Sequence, residues 1–232
     1  MAKPVCAIVG VGPGNGAAFA RRFAGDHRVA LMARGTAFTG ALASEIGDAR
    51  AYACDVSDRA AIDRALDAVA GDLGAVNVLI YNAGSGSWGT VEDITPDQFE
   101  TAIAVNATGL LVAAQKVVPA MKANKHGVIV VVGATASRRG AARTAAFAPA
   151  KAAQRSLCES MAKHLGPAGI HVALIVIDGV VDLPRTRQAM PDKPDDFFVK
   201  PDDVAATAHW LAHQPPSAWS FEVEARPFGE RW

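Results

Sequence analysis

Val5-Cys6-Ala7-Ile8-Val9-Gly10-Val11-Gly12-Pro13-Gly14-Asn15-Gly16 decides the reading of this chain. Five apolar residues in a row have the length of a strand buried on both faces. The glycines that follow open the helical stretch Gly14–Ala24. A glycine turn between a first strand and a first helix lets the backbone approach a pyrophosphate closely. The helix N-terminus then offers free N–H groups and a positive dipole to the anion. The competing reading is an ordinary tight turn between strand and helix.

Downstream, short apolar runs alternate with stretches of helical period. The runs are Val5–Val9, Val29–Ala33, Ala49–Ala53, Val76–Tyr81, Gly127–Val132 and His171–Ile177. Between them lie Gly14–Ala24, Ala37–Ile46, Asp58–Asp72, Pro96–Ala123 and Ala142–Leu165, and the chain ends with a helix over Pro201–His213 and a strand over Ser220–Ala225. This alternation predicts an α/β fold: a doubly wound, Rossmann-type three-layer sandwich on a seven-stranded parallel sheet, with residues 1–232 as one domain. Val181–Lys200 carries three prolines and four aspartates without periodicity, and reads as a mobile lid over a ligand cleft or as a plain surface loop. Ala102–Ala114 and Ala145–Ala162 are rich in small and apolar residues. Such helices are expected to pack on the sheet with one side and on a second subunit with the other, giving a homodimer or homotetramer.

Composition excludes several classes. Lys and Arg total 23, as do Asp and Glu, so the net charge is zero and no basic footprint for nucleic acid appears. The apolar runs are strand length, and no signal peptide or membrane span is read. Cys6, Cys54 and Cys158 are widely spaced and form no CxxC pair. They read as core thiols of a cytoplasmic protein, and no metal site is assigned.

The motifs together resemble the short-chain dehydrogenase/reductase family. Gly10, Gly14 and Gly16 fit its GxxxGxG turn, with Asn15 inside it. Cys54-Asp55-Val56 is similar to the acidic motif after the third strand, and Tyr81-Asn82-Ala83-Gly84 to the NNAG turn. Val105-Asn106-Ala107-Thr108-Gly109 matches the helical Asn motif, Lys151 sits at the lysine of YxxxK, and Ile177-Asp178-Gly179 occupies the PG turn. The resemblance covers about residues 4–225 and implies a nicotinamide dinucleotide, a small-molecule substrate and hydride transfer to or from a carbonyl or alcohol. In its terms the glycine turn binds the phosphates, Asp55 and Val56 the adenine, and Asn82, Ala83, Gly84 and Gly179 the ribose and nicotinamide side. Lys151 binds the nicotinamide ribose, and Asn106 supports Lys151 through water; a helix cap or turn residue is the alternative for Asn106. Arg34, with no acid beside it at the end of the second strand, favours NADP over NAD by accepting a 2′-phosphate, unless it is only a solvated loop residue.

The family's proton donor is missing. Aligning on Lys151 puts Phe147 at the tyrosine, and thirteen residues earlier Ala134 stands at the serine. The chain has two tyrosines, Tyr52 and Tyr81, both expected to face the adenosine half of the cofactor. Lys151, Thr135, Ser137 and Asp178 are the candidate acids, with Asp178 the most suggestive, unless it caps a turn. Leu183 replaces a threonine that often contacts the carboxamide. The expected function is an NADP-dependent oxidoreductase with an altered proton donor; the alternative is a non-catalytic NADP-binding subunit or sensor.

Overall fold

The computed structural model describes residues 3–230. Its central sheet contains β1 (Val5–Val9), β2 (Arg28–Ala33), β3 (Ala49–Ala53), β4 (Val76–Tyr81), β5 (Gly127–Ala134), β6 (Ile170–Ile177) and β9 (Glu222–Ala225), while β7 (Val180–Val181) and β8 (Phe198–Val199) pair separately. The seven strands are parallel, in the order β3-β2-β1-β4-β5-β6-β9. The helices are α1 (Asn15–Phe23), α2 (Thr36–Ile46), α3 (Arg59–Asp72), α4 (Pro96–Ile103), α5 (Gly109–Ala123), α6 (Phe147–Leu165), α7 (Pro184–Ala189) and α8 (Pro201–Ala212). The fold is thus the expected doubly wound sandwich.

The period of two along each strand divides the core into two layers. Ala7, Val9, Leu79, Tyr81, Ile129 and Val131 pack with α3, α5 and α6. Their neighbours Cys6, Ile8, Val78, Ile80, Val128 and Val130 pack with α1 and α8 on the opposite face. Burial on both faces is why these strands are continuous apolar runs rather than alternating ones. The edge strand β9 instead carries Glu222 and Glu224, engaged by Arg138 and, for Glu222, by Arg155 at 2.6 Å. Charges at an edge discourage pairing with another sheet.

The structure departs from the sequence reading in three places. α6 begins at Phe147, not Ala142, because the preceding turn has other partners. Thr144 Oγ1 accepts from Ala141 N–H, Gly89 N–H donates to Arg143 O and Ala145 N–H to Gly89 O. Residues 181–200, which show no periodicity in the sequence, hold part of β7 and all of α7 and β8. Asp182 accepts from Arg187 at 2.7 Å and from Lys200 at 2.7 Å, and these bonds hold its carboxyl well below the usual range. Arg187 also lies over the Phe198 ring, 4.1 Å from its centre. Finally, Pro96–Ala123 runs as one 28-residue helical stretch, long and apolar enough to cross a membrane by length and composition, which a reading by short runs overlooks. Its Leu110, Ala113, Val117 and Met121 are buried in the core, as a sheet-covering helix requires.

The strand order reverses between β1 and β4, and the crevice at their C-terminal ends is where a doubly wound sheet takes ligands. Two bonds tie the loops together there: Asn82 N–H donates to Val9 O at 2.9 Å, and Asn82 Nδ2 to Gly10 O at 2.7 Å. Gly10 has φ +90°, and a Cβ there would lie 2.5 Å from the Ala83 backbone. Only glycine lets the phosphate turn and the β4 turn meet this closely.

Candidate active site

A cavity of about 890 Å³ opens over that crevice. Its walls include Gly10, Gly14, Asn15 and Gly16 of the glycine turn, Arg34 after β2, Asn82 and Gly84 after β4, Lys151 and Phe147 of α6, and Gly179 after β6. The structure therefore gathers most of the residues singled out in the sequence. Asp55, Val56, Ala83, Asn106 and Asp178 do not line it.

Each of these five has a local explanation. Asp55 accepts from Ser57 N–H and Oγ, bonds that hold its carboxyl below the usual range, helped by the nearby Arg34 charge. Val56 is buried and borders a smaller depression with Phe99. Ala83 is the residue packed under Gly10. Asn106 is fully buried; its Nδ2 donates to Ala102 O at 2.8 Å and its Oδ1 faces Gly84 without a partner. The Asp178 carboxylate accepts from the Thr135 hydroxyl. It does not itself line the cavity, although the Thr135 it engages does.

The tyrosines are also placed differently. Tyr52 donates to Asp72 at 3.1 Å, and burial with that carboxylate pushes its phenol up to about 12. Tyr81 is fully buried, its phenol raised further by burial, and donates to Val105 O at 2.5 Å. Neither lines the cleft. The acceptor belongs to a π-helical turn, Ala104–Thr108, between α4 and α5. Such a turn interrupts the regular backbone ladder and frees carbonyls for other donors. Tyr81 donates to one, and Gln154 Nε2 donates to another, Asn106 O, at 3.0 Å. Gly109 makes room, since a Cβ there would lie 2.4 Å from the Tyr81 hydroxyl.

Lys151 sits at the centre of what remains. Its ammonium donates to Val132 O at 2.9 Å and to Gln154 Oε1 at 2.9 Å. Gln154 links Lys151 to the main-chain carbonyl of Asn106, a connection through a side chain beside the water-mediated one the sequence suggests. Gln154 was missed, although three residues along a helix put it on the same face as Lys151. The Lys151 side chain is buried, and desolvation lowers its pKa to about 8. An ammonium has three N–H donors. Two are committed, leaving a third at the wall of the cleft.

Phe147 lies one helical turn before Lys151 and packs its ring against Trp88, centroids 5.0 Å apart. Trp88 is 61% exposed and sits in a loop where no sequence pattern marked it. Ala134 and Thr135 line the opposite wall, whereas Ser137 is buried away from the cavity with no partner for its hydroxyl. Leu183, just before α7, lines the cleft and packs against the glycine turn: a Cβ at Gly14 would lie 2.2 Å from Leu183 Cδ2.

A Rossmann-type sheet with a glycine turn at its switch point and a lysine one turn into the site defines a dinucleotide-dependent dehydrogenase class. Comparison with known proteins agrees. The short chain dehydrogenase family profile matches residues 4–193. The chain is 32% identical over 219 residues to the 3-oxoacyl-[acyl-carrier-protein] reductase MabA of Mycobacterium tuberculosis, covering 90% of this chain and 85% of that protein. It is 35% identical over 178 residues to a sorbitol dehydrogenase of Cereibacter sphaeroides, covering 75% and 69%. A metagenomic short-chain oxidoreductase in complex with NADP superposes with a TM-score of 0.84 at 29% identity, over 99% of both chains. A short-chain dehydrogenase from Rhodopseudomonas palustris does so at 0.84 and 30%, over 97% of this chain and 99% of that one. This chain belongs to the short-chain dehydrogenase family, a family of oxidoreductases.

Proposed function

We propose that the chain is an NADP(H)-dependent oxidoreductase acting on a small carbonyl compound or its alcohol, with Lys151 in the proton-transfer role. One observation carries this reading: the buried Lys151 ammonium, poised near pH 8, is at the cleft wall where Phe147 offers no proton. A general acid works best with a pKa near the operating pH. The Ser137 hydroxyl is buried and does not line the cleft, and the Thr135 hydroxyl is engaged with Asp178 and Ile177 O.

The residues fit the dinucleotide. The glycine turn lines the cavity at the N-terminus of α1, and Gly12 has open space where a Cβ would stand, which leaves room for a phosphate. Gly10, Gly14, Asn15 and Gly16 would hold the phosphates and Arg34 a 2′-phosphate. Asp55 and Val56 would flank the adenine, with Asn82, Ala83, Gly84 and Gly179 toward the nicotinamide. The bound cofactor supplies or accepts the hydride. Lys151 orients the substrate oxygen with its free N–H and gives that oxygen a proton in the reducing direction. Gln154, held by Asn106, fixes the Lys151 side chain. Trp88 and Phe147 present an aromatic wall that favours a substrate with an apolar or planar face.

The test is a fluorescence titration followed by turnover. NADPH is expected to bind more tightly than NADH, and Arg34→Ala to cost about 1.5–3 kcal/mol for NADPH and little for NADH. Equal affinities in the parent would refute the preference. A panel of ketones, aldehydes and enones then separates an enzyme from a cofactor-binding subunit or sensor, which would bind NADPH and turn over none of them.

The reading extends to assembly and place. Phe99 and Leu111 are each more than a third exposed on α4 and α5, a surface a second copy would cover. Sedimentation at micromolar concentration is expected to show a homodimer or homotetramer; a 24.1 kDa species alone would contradict this. Cys6, Cys54 and Cys158 are buried and free, which supports a cytoplasmic location.

A further inference from the structure

A histidine cluster lies at the N-terminal end of the strands, opposite the cleft, where α1 ends and β2 begins. The turn between them carries Asp26 and His27, and the last turn of α8 brings His209 and the following His213 alongside. Asp26 Oδ2 is 2.9 Å from His209 Nε2 and 3.1 Å from His213 Nε2. The two imidazoles stack with centroids 4.1 Å apart, so both turn Nε2 toward the same carboxylate oxygen. The ligand atoms of the three residues all lie within 4.8 Å of one another. Behind them the buried His27 holds the other oxygen, Nδ1 to Asp26 Oδ1, at 2.6 Å.

The hydrogen bonds set a second condition. His213 Nδ1 is 2.7 Å from His209 O. A carbonyl only accepts, so Nδ1 carries the proton. Neutral His213 therefore points the lone pair of Nε2 at a carboxylate oxygen, and two electron-rich atoms at that distance require a cation between them. A proton on Nε2 would serve, and so would a metal ion. Arg22 also faces the group, its Nη2 3.4 Å from His209 Nδ1; a guanidinium only donates, so His209 carries its proton on Nε2 toward Asp26, and a metal ion would take that proton's place.

We propose that Asp26, His209 and His213 bind one divalent transition cation of the zinc class, with His27 orienting the carboxylate. Imidazoles four residues apart on one helix face chelate such ions, and water completes a tetrahedral set of three protein ligands. A partner hydrogen-bonded behind a ligating group is the usual support of such sites. Asp26 and His213 are each more than two-fifths exposed, giving the ion a path from solvent. The bound ion would clamp the end of α8 to the α1–β2 turn, a bond across 183 residues of sequence.

The experiment uses the full chain without a histidine tag, stripped with chelator and titrated with zinc chloride by calorimetry at neutral pH. The expected result is saturable binding at one ion per chain, with a rise in Tm that chelator reverses. His213→Ala and Asp26→Asn should each weaken binding by about 100-fold or more, and His27→Phe by about 10–100-fold. His164→Ala, on a different face, should leave it unchanged. Imidazole nitrogen NMR on the parent reads the ligands without any substitution: zinc should shift Nε2 of His209 and His213 and spare His126 and His164. No saturable binding, affinity that survives both ligand variants, or shifts confined to other histidines would overturn the proposal.

Discussion

Lys151→Met is expected to lower NADPH-dependent carbonyl reduction by about 10² to 10⁴, the worth of a positioned general acid. The parent and the variant should differ much less in NADPH affinity, because the glycine turn and Arg34 remain. Lys151→Arg separates charge from proton transfer. A guanidinium keeps the positive charge but does not release its proton in the working range, so turnover should stay low. Asp178→Asn, by contrast, should leave turnover nearly unchanged, since that carboxylate is spent on Thr135. Urea unfolding of each variant distinguishes lost chemistry from lost fold. Parent-like turnover in Lys151→Met would remove Lys151 from the proton-transfer role.

Phe147→Tyr is expected to raise ketone reduction: by about 10² or more where water is otherwise the only acid, as in the Lys151→Met background, and by less while Lys151 donates. The ring already borders the cleft one turn before Lys151, with Trp88 fixing its plane. The added hydroxyl would extend into the cleft beside an ammonium. That positive charge favours the phenolate and lowers the phenol pKa. Ala134→Ser adds a second donor on the facing wall, and the double variant should exceed the single one. Steady-state rates on a small ketone panel measure both. If neither variant gains, the aligned position of Phe147 is not next to the reacting oxygen.

Most of the fold was legible because both faces of the sheet are covered. Val5–Val9, Ala49–Ala53 and Val76–Tyr81 match the strands read from apolar runs, and the others differ by a residue or two at their ends. Where side chains rather than burial set the backbone, legibility failed. The alanines before Phe147 continue a helical pattern, but Thr144 and Gly89 have already claimed the local hydrogen bonds. α7 is six residues long, too short to show a period, and it is held by Asp182 with partners up to eighteen residues away. Tyr81 shows a lesson in parity. It falls on the same face as Leu79 and Val9, so the alternation that defines β4 already sends it into the core rather than toward a ligand. Asp178 and Gln154 depended on facts outside their own segments. The hydroxyl that engages Asp178 and the π-helical carbonyl that orients Gln154 come from elements more than forty residues away.

The pH dependence of carbonyl reduction tests the account most directly. A lysine whose pKa is lowered loses its proton as the pH rises through about 8, so the ammonium that donates is present below that point and lost above it. In the reducing direction kcat/KM for NADPH and a small ketone should be level in mildly acidic solution and fall as the pH passes about 8. In the oxidising direction, which needs the neutral amine, kcat/KM should rise over the same interval. The break should vanish in Lys151→Arg. A profile that stays flat well into alkaline solution, or a break that survives in Lys151→Arg, would contradict Lys151 as the proton donor.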